Sequence, residues 1–273
     1  MNILQFESDL RLGLERGEFD LYYQPIVELS KEVVSGFEAL LRWNHPKLGL
    51  LLPDKFLEVA IESELIVPLG RWVLAQACRQ IQIWKKKWDE ARDWTISVNL
   101  SALELAQPDL VSALTGIIEK SGLSPIFLKL EVTENALIEN STHVLQTMNA
   151  LRAAGIHLSI DDFGTGYSSF SYLHEFPFDE LKIDRTFISE LNNRKDKQQI
   201  VNAIVSLAHN LGMTVVAEGS ASNAIKKIYA ARLASMLRGF RSWRRRPRIR
   251  FIDQLQSMLI VLTLPNLVQI NPI

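Results

Sequence analysis

Six oxygen-bearing side chains in this 273-residue chain stand where the apolar runs around them do not predict polarity. Asn99 ends Ile96-Ser97-Val98, Glu131 ends Leu128-Lys129-Leu130, Asp161 and Asp162 end Leu158-Ser159-Ile160, and Glu218 ends Val215-Val216-Ala217. Glu38 follows Gly36-Phe37, and Leu181 leads to Lys182 and Asp184. Brought together, the carboxylates would repel one another, so protons or cations must hold them. All the donors are oxygens, with no thiolate or imidazole, which favours magnesium or manganese. Adjacent aspartates such as Asp161 and Asp162 suit a bridging arrangement of two ions about 3.5–4 Å apart. Such a pair lowers the pKa of a bridging water and holds phosphoryl oxygens for in-line attack. Lys182 could orient that water or stabilise developing negative charge. A phosphodiester would not approach so acidic a mouth without the cations, so metal dependence follows from charge. The loop from Asp162 to Ser169 carries Gly164 and Gly166, which let it move or lie close to a ligand.

The elements that must gather these residues are legible in the pattern. Helical periodicity over 5–17 stops at Gly17. A run from Phe19 to Val27 and a second from Val33 to Trp43 flank the polar turn Ser30-Lys31-Glu32, which reads as an antiparallel hairpin. Asn44 to Gly49, including His45, reads as a loop, and Asp54 is placed to cap a helix reaching about Glu62. Val67–Trp88 is amphipathic, with Leu69, Trp72, Val73, Ala77, Ile81 and Trp84 on or near one face. Strands over 95–100, 127–132, 156–160, 178–183 and 214–217 then alternate with helices over 108–120, 142–154 and 197–211, three of which end at Gly122, Gly155 and Gly212. This alternation allows a barrel or a doubly wound sheet. A barrel brings its strand ends to one rim, whereas an open sheet spreads them along a line. The six residues therefore favour the barrel.

Composition sets further bounds. Apolar residues make up 47% and charged residues 22% of the chain, a globular composition. The single cysteine, Cys78, excludes a disulfide framework and a cysteine zinc site, and falls where a small buried side chain belongs. No secretory leader is legible and Met258–Leu264 is too short to span a bilayer, so the cytoplasm is the expected compartment. The net charge of −1 hides an asymmetry. After Gly219, Lys226, Lys227 and eight arginines face one acid, Asp253, so the preceding part is strongly acidic. Nucleic-acid or membrane binding by this basic tail is not expected, because no fold motif accompanies the charge.

The motifs resemble those of the EAL domain family, phosphodiesterases that hydrolyse cyclic di-GMP. Glu38-Ala39-Leu40-Leu41-Arg42-Trp43 is similar to the signature that names it. In order follow Ser97-Val98-Asn99-Leu100-Ser101, Glu131-Val132-Thr133-Glu134, Asp161-Asp162-Phe163-Gly164, Leu181-Lys182-Ile183-Asp184-Arg185 and Val216-Ala217-Glu218-Gly219, preceded by Tyr22-Tyr23-Gln24-Pro25. The resemblance runs from about residue 7 to Gly219. It implies a modified TIM-type (β/α)8 barrel with an antiparallel first strand. It implies that Glu38, Asn99, Glu131, Asp161 and Asp162 bind two divalent cations, Mg2+ or Mn2+. It assigns Lys182 to the attacking water, Glu218 to the metal site, Gln24, Arg42 and Asp184 to the dinucleotide, and Glu134 to anchoring the loop after Asp162. The product would be linear pGpG, and a homodimer is common in the family.

After Gly219 the resemblance stops. Where the family continues Val-Glu-Thr, Ser220-Ala221-Ser222 stand, and its Gln-Gly-Phe is matched by Arg238-Gly239-Phe240. Residues 1–219 therefore read as the barrel domain, and 220–273 as a divergent basic tail from a shifted reading frame or unrelated DNA. The family's last strand and helix are not recognisable, which predicts two unpaired barrel edges, low stability and weak hydrolysis. Two functions are compatible with this sequence: a cyclic di-GMP phosphodiesterase, or an inactive module that binds the dinucleotide or a protein partner.

Overall fold

Glycine marks the ends of helices where the sequence places them. In the computed structural model, which describes residues 3–28, 31, 33–137, 141–164, 170–188, 194–219, 250–251 and 258–262, Gly17, Gly122, Gly155 and Gly212 all adopt positive φ just beyond a helix. That conformation closes a helix without a Cβ penalty. The helices are α1 (Ile3–Arg16), α2 (Leu57–Glu62), α3 (Ile66–Lys87), α4 (Ala102–Leu105), α5 (Leu110–Ser121), α6 (Ser141–Ala153), α7 (Phe170–Glu175), α8 (Arg185–Ile188) and α9 (Lys195–Asn210). The strands are β1 (Phe19–Glu28), β2 (Val33–His45), β3 (Gly49–Leu51), β4 (Thr95–Asn99), β5 (Leu128–Thr133), β6 (His157–Phe163), β7 (Glu180–Ile183), β8 (Thr214–Gly219), β9 (Arg250–Phe251) and β10 (Met258–Leu262).

The strands pair in the order β2-β4-β5-β6-β7-β8-β10-β1, and β1 pairs back to β2, so the sheet closes as a barrel. Strands β2 and β4 to β8 run parallel, and β1 is antiparallel to β2 over its whole length. This is the modified (β/α)8 architecture with an antiparallel first strand. The two open edges expected from the divergent tail are corrected: Met258–Leu262 pairs with β8 on one side and with Ile26–Glu28 of β1 on the other. Strand β10 is antiparallel to β8.

Local expectations hold with two corrections. Asp54 caps no long helix; Pro53–Lys55 is a separate 3-10 turn, and α2 starts after Phe56 without a side-chain cap. His45 belongs to β2 and is buried, its Nδ1 accepting the backbone N–H groups of Lys47 and Leu48 at 3.1 Å, so it shapes the loop rather than sitting in it.

Register sorts the side chains, since cross-strand partners share a face and neighbours along a strand do not. Ile96, Val98, Leu128, Leu130, Leu158, Ile160, Leu181, Ile183 and Val215 form the outer face and are buried in the main core. Helix α3 covers part of it with Leu74, Ala77, Cys78, Ile81 and Trp84, while Trp72 is only half-buried. The Trp84 ring lies 4.9 Å from Tyr23 and 4.8 Å from Phe37, tying α3 to β1 and β2. With most apolar residues committed outward, the inner face carries Glu38, Ser97, Glu131, Ser159, Asp161, Glu180 and Lys182, all buried, beside a small apolar pair, Ile26 and Val216.

Candidate active site

Lys182 occupies the centre of the inner face. It is 1% exposed, and its Nζ lies 2.6 Å from Glu131 Oε2, 3.1 Å from Asp161 Oδ1, 3.1 Å from Glu218 Oε1 and 3.3 Å from Glu38 Oε2. Five strands thus deliver one ammonium and four carboxylates to one point. Asn99 at the end of β4 donates from Nδ2 to Glu38 Oε1 at 2.9 Å.

Asp161 and Asp162 pose a geometric problem, because consecutive strand residues face opposite ways. The backbone solves it with a bulge. Ile160 pairs with Leu181 and Phe163 with Ile183, so β6 spends an extra residue against β7. Asp162 takes φ 54°, the left-handed region that aspartate tolerates better than most residues. Its amide donates to Asp161 Oδ1 at 2.9 Å. Asp162, Asp184 and Glu218 each then offer a carboxylate oxygen within 4.8 Å of the others. This arrangement brings Asp184, read in the sequence as a dinucleotide contact, into the same acidic mouth.

The charges feel one another. Burial opposes the Lys182 charge, but the fields of Glu131, Glu38, Asp161 and Glu218 outweigh it and hold the ammonium well above the ordinary lysine value. Burial and the Glu38 charge push Glu131 well above the usual carboxylate range, against the pull of Lys182. Burial raises Glu218 to about 7, again with Lys182 opposing. Burial, then Asp161 and Asp184, raise Asp162. Asp184 moves down: slight burial is outweighed by hydrogen bonds from the Thr186 hydroxyl and amide.

The remaining site residues lie around this cluster. Gln24 on β1 is the cross-strand partner of Glu38 and is half-buried. Arg42, further along β2, holds its guanidinium 5.3 Å above the Tyr22 ring and donates to Leu41 O at 2.8 Å. Glu134 is buried in the short 3-10 turn after β5. The loop it was expected to anchor includes residues 165–169, outside the described residues. Sequence reading attended to strand ends and so passed over Ser97, Lys129, Ser159 and Glu180. Each precedes a ring residue by two positions, and that period-two polarity inside apolar strands was the available signal.

Carboxylates gathered around a buried lysine on the inner face of an α/β barrel define the kind of site this is, and comparison with known proteins makes the family specific. The EAL domain model matches residues 7–243, and the chain belongs to that family. It is 44% identical over 237 residues to the bifunctional diguanylate cyclase/cyclic di-GMP phosphodiesterase MucR of Pseudomonas aeruginosa, covering 87% of this chain and 34% of MucR. It is 42% identical over 216 residues to the cyclic di-GMP phosphodiesterase NbdA of the same organism, covering 79% of this chain and 27% of NbdA. The chain therefore spans no more than about a third of the length of these relatives. The solved structure of the P. aeruginosa MucR phosphodiesterase in complex with cyclic di-GMP superposes with TM-score 0.74 at 43% identity, covering 83% of this chain and 91% of that one. The family match runs past Gly219 and includes Arg238-Gly239-Phe240.

Proposed function

We propose that this chain hydrolyses one phosphodiester of cyclic di-GMP to give linear pGpG, using two divalent cations, Mg2+ or Mn2+. The observation that carries the reading is the convergence of Glu38, Glu131, Asp161 and Glu218 on Lys182 at the barrel's inner face. The residues fit the cations. All the donors are oxygens, and the Asp162, Asp184 and Glu218 carboxylates already lie within 4.8 Å of one another. Glu38, Asn99, Glu131, Asp161 and Asp162 would hold the ions. When bound, they supply Lewis acidity and activate water for in-line attack.

The chain's own groups do the rest. Lys182 presents a fixed ammonium to the attacking water and to the charge that develops on phosphorus-bound oxygen. Glu218 sets its carboxylate beside that ammonium. Gln24, Arg42 and Asp184 hold the dinucleotide, with Arg42 stiffened by its stacking on Tyr22. Glu134 anchors the loop after Asp162. Residues 1–219 carry every one of these groups, and 220–273 form the divergent basic segment. A homodimer and a cytoplasmic location follow the family pattern; among the described residues no helix is long and apolar enough to cross a membrane.

Ala221 and Arg238 favour a second reading, a module that binds the dinucleotide without cleaving it. One experiment separates the two. The purified chain is given cyclic di-GMP with magnesium or manganese, and pGpG release is measured beside equilibrium binding. Lys182→Gln is expected to lower turnover by about 10²–10³-fold while binding persists. Binding with no product from the native chain selects the module, and neither binding nor product overturns both.

A further inference from the structure

Below the acidic ring, the inner face stays polar for another layer. Lys129 and Glu180 stand two residues before Glu131 and Lys182, and they form an ion pair across the interior. Ser97 is the cross-strand partner of Glu38 and of Lys129. Ser159 is the partner of Glu131 on one side and of Glu180 on the other. These four strands therefore aim Ser97, Glu131, Ser159 and Glu180 into one space. Ser97 and Ser159 are 0% exposed, Glu131 1% and Glu180 3%. Ser97 Oγ, Ser159 Oγ, Glu131 Oε1 and Glu180 Oε1 are enclosed and meet no hydrogen-bond partner among the described residues.

Buried oxygens left unmet are costly, and native interiors satisfy them with protein or ordered water. The chemistry here selects water. The carboxylate oxygens accept, the hydroxyls both donate and accept, and water can serve all four. A further cation would have to sit beside the Lys129 ammonium, and an apolar ligand would leave every oxygen unmet. We infer that the barrel interior beneath the ring is an internal water site built by Ser97, Glu131, Ser159 and Glu180. Through it, Ser159 acts as a positioning residue for Glu131. Lys182 holds Glu131 Oε2, and water on Oε1 fixes the rotation of the same carboxylate, so the floor of the site sets the height of the ring. This inference does not depend on the hydrolase reading, because hydration is read without turnover.

A high-resolution crystal structure of the full chain tests the site. Ordered waters within hydrogen-bond distance of at least three of the four oxygens are expected; fewer overturn it. The positioning role has a spectroscopic readout. The 13C resonance of the Glu131 carboxyl carbon is expected to shift between H2O and D2O in the native chain. The exchangeable Lys182 ammonium on Oε2 supplies a constant part of that shift; Ser159→Val should reduce the remainder and Ser159→Thr, which keeps the hydroxyl, should retain it. An unchanged shift in Ser159→Val overturns the positioning role. If that variant does not fold, Ser159→Ala, which removes the hydroxyl without adding bulk, is read instead, and an unchanged shift overturns the role.

Discussion

Glu104 shows at the scale of one residue how this barrel tolerates buried charge away from the ring. It closes a capping box on α4, its Oε2 accepting from the Ser101 amide and hydroxyl, directly after the turn that leaves Asn99. Its carboxyl also lies against α3, where a Cβ on Gly70 would meet Glu104 Oε1 at 1.6 Å. Burial raises Glu104 to about 7, although Ser101 and the Arg71 charge pull the other way. The folded chain therefore binds a proton between about pH 4.5 and 7 that the unfolded chain has lost. Stability falls as pH rises through that window and levels off above it, by about 3 kcal/mol from this group. Glu104→Gln keeps an acceptor for Ser101 but removes the proton, so it should flatten the decline. Thermal melts of both proteins at pH 5 and pH 8 check this: the native chain should lose more between the two than the variant, and equal losses would mean that Glu104 is not the source.

At the scale of the element, β2 carries Glu38 to the ring through a close approach that only glycine permits. A Cβ on Gly36 would stand 2.4 Å from Thr95 Oγ1 and 2.6 Å from Thr95 O on β4. Gly36→Ala must push β2 away from β4 and shift Glu38 two residues along, at a cost of about 1–3 kcal/mol. Denaturant unfolding measures the stability, and the expected companion effect is weaker divalent-ion binding, read by calorimetry; unchanged stability would show that the strands are not held at this spacing. Elements of this kind were readable because their signals are local: glycine punctuation for α5, α6 and α9, and polar residues ending apolar runs for β4, β5, β6 and β8. The family motifs added roles to those positions. The bulge at Asp161-Asp162 was not readable, because it depends on how β6 meets β7. Nor was the buried place of His45, since a histidine beside Pro46 looks like a loop residue until its Nδ1 is seen accepting two backbone amides. The second polar layer was missed for a different reason: Ser and Lys within a strand pass for solvent-facing alternation when the barrel's inside and outside are not yet assigned.

For the whole molecule, the decisive question is how the chain beyond Gly219 closes the barrel. A sheet edge exposes unpaired N–H and C=O groups, and an apolar strand that reaches it gains a ladder whatever its ancestry. Met258–Leu262 is such a strand, and its sequence, Met-Leu-Ile-Val-Leu, is rich in residues that fit a sheet. It lies antiparallel to β8, pairing Leu259 with Glu218 and Ile260 with Ala217, and parallel to β1, pairing Ile260 with Val27. Closure here rests on hydrogen-bonding capacity and apolar character, and it leaves the ring side chain Glu218 in place against Lys182. Two variants test this. Ending the chain after Ser257 should reopen both edges, lowering the melting temperature by about 10 °C or more and raising light scattering on heating. Ile260→Pro removes one backbone donor from the middle of the strand and should lower the melting temperature. If both variants melt like the native chain, β10 does not close the ring, and the barrel must hold its carboxylates around Lys182 with an open seam between β8 and β1.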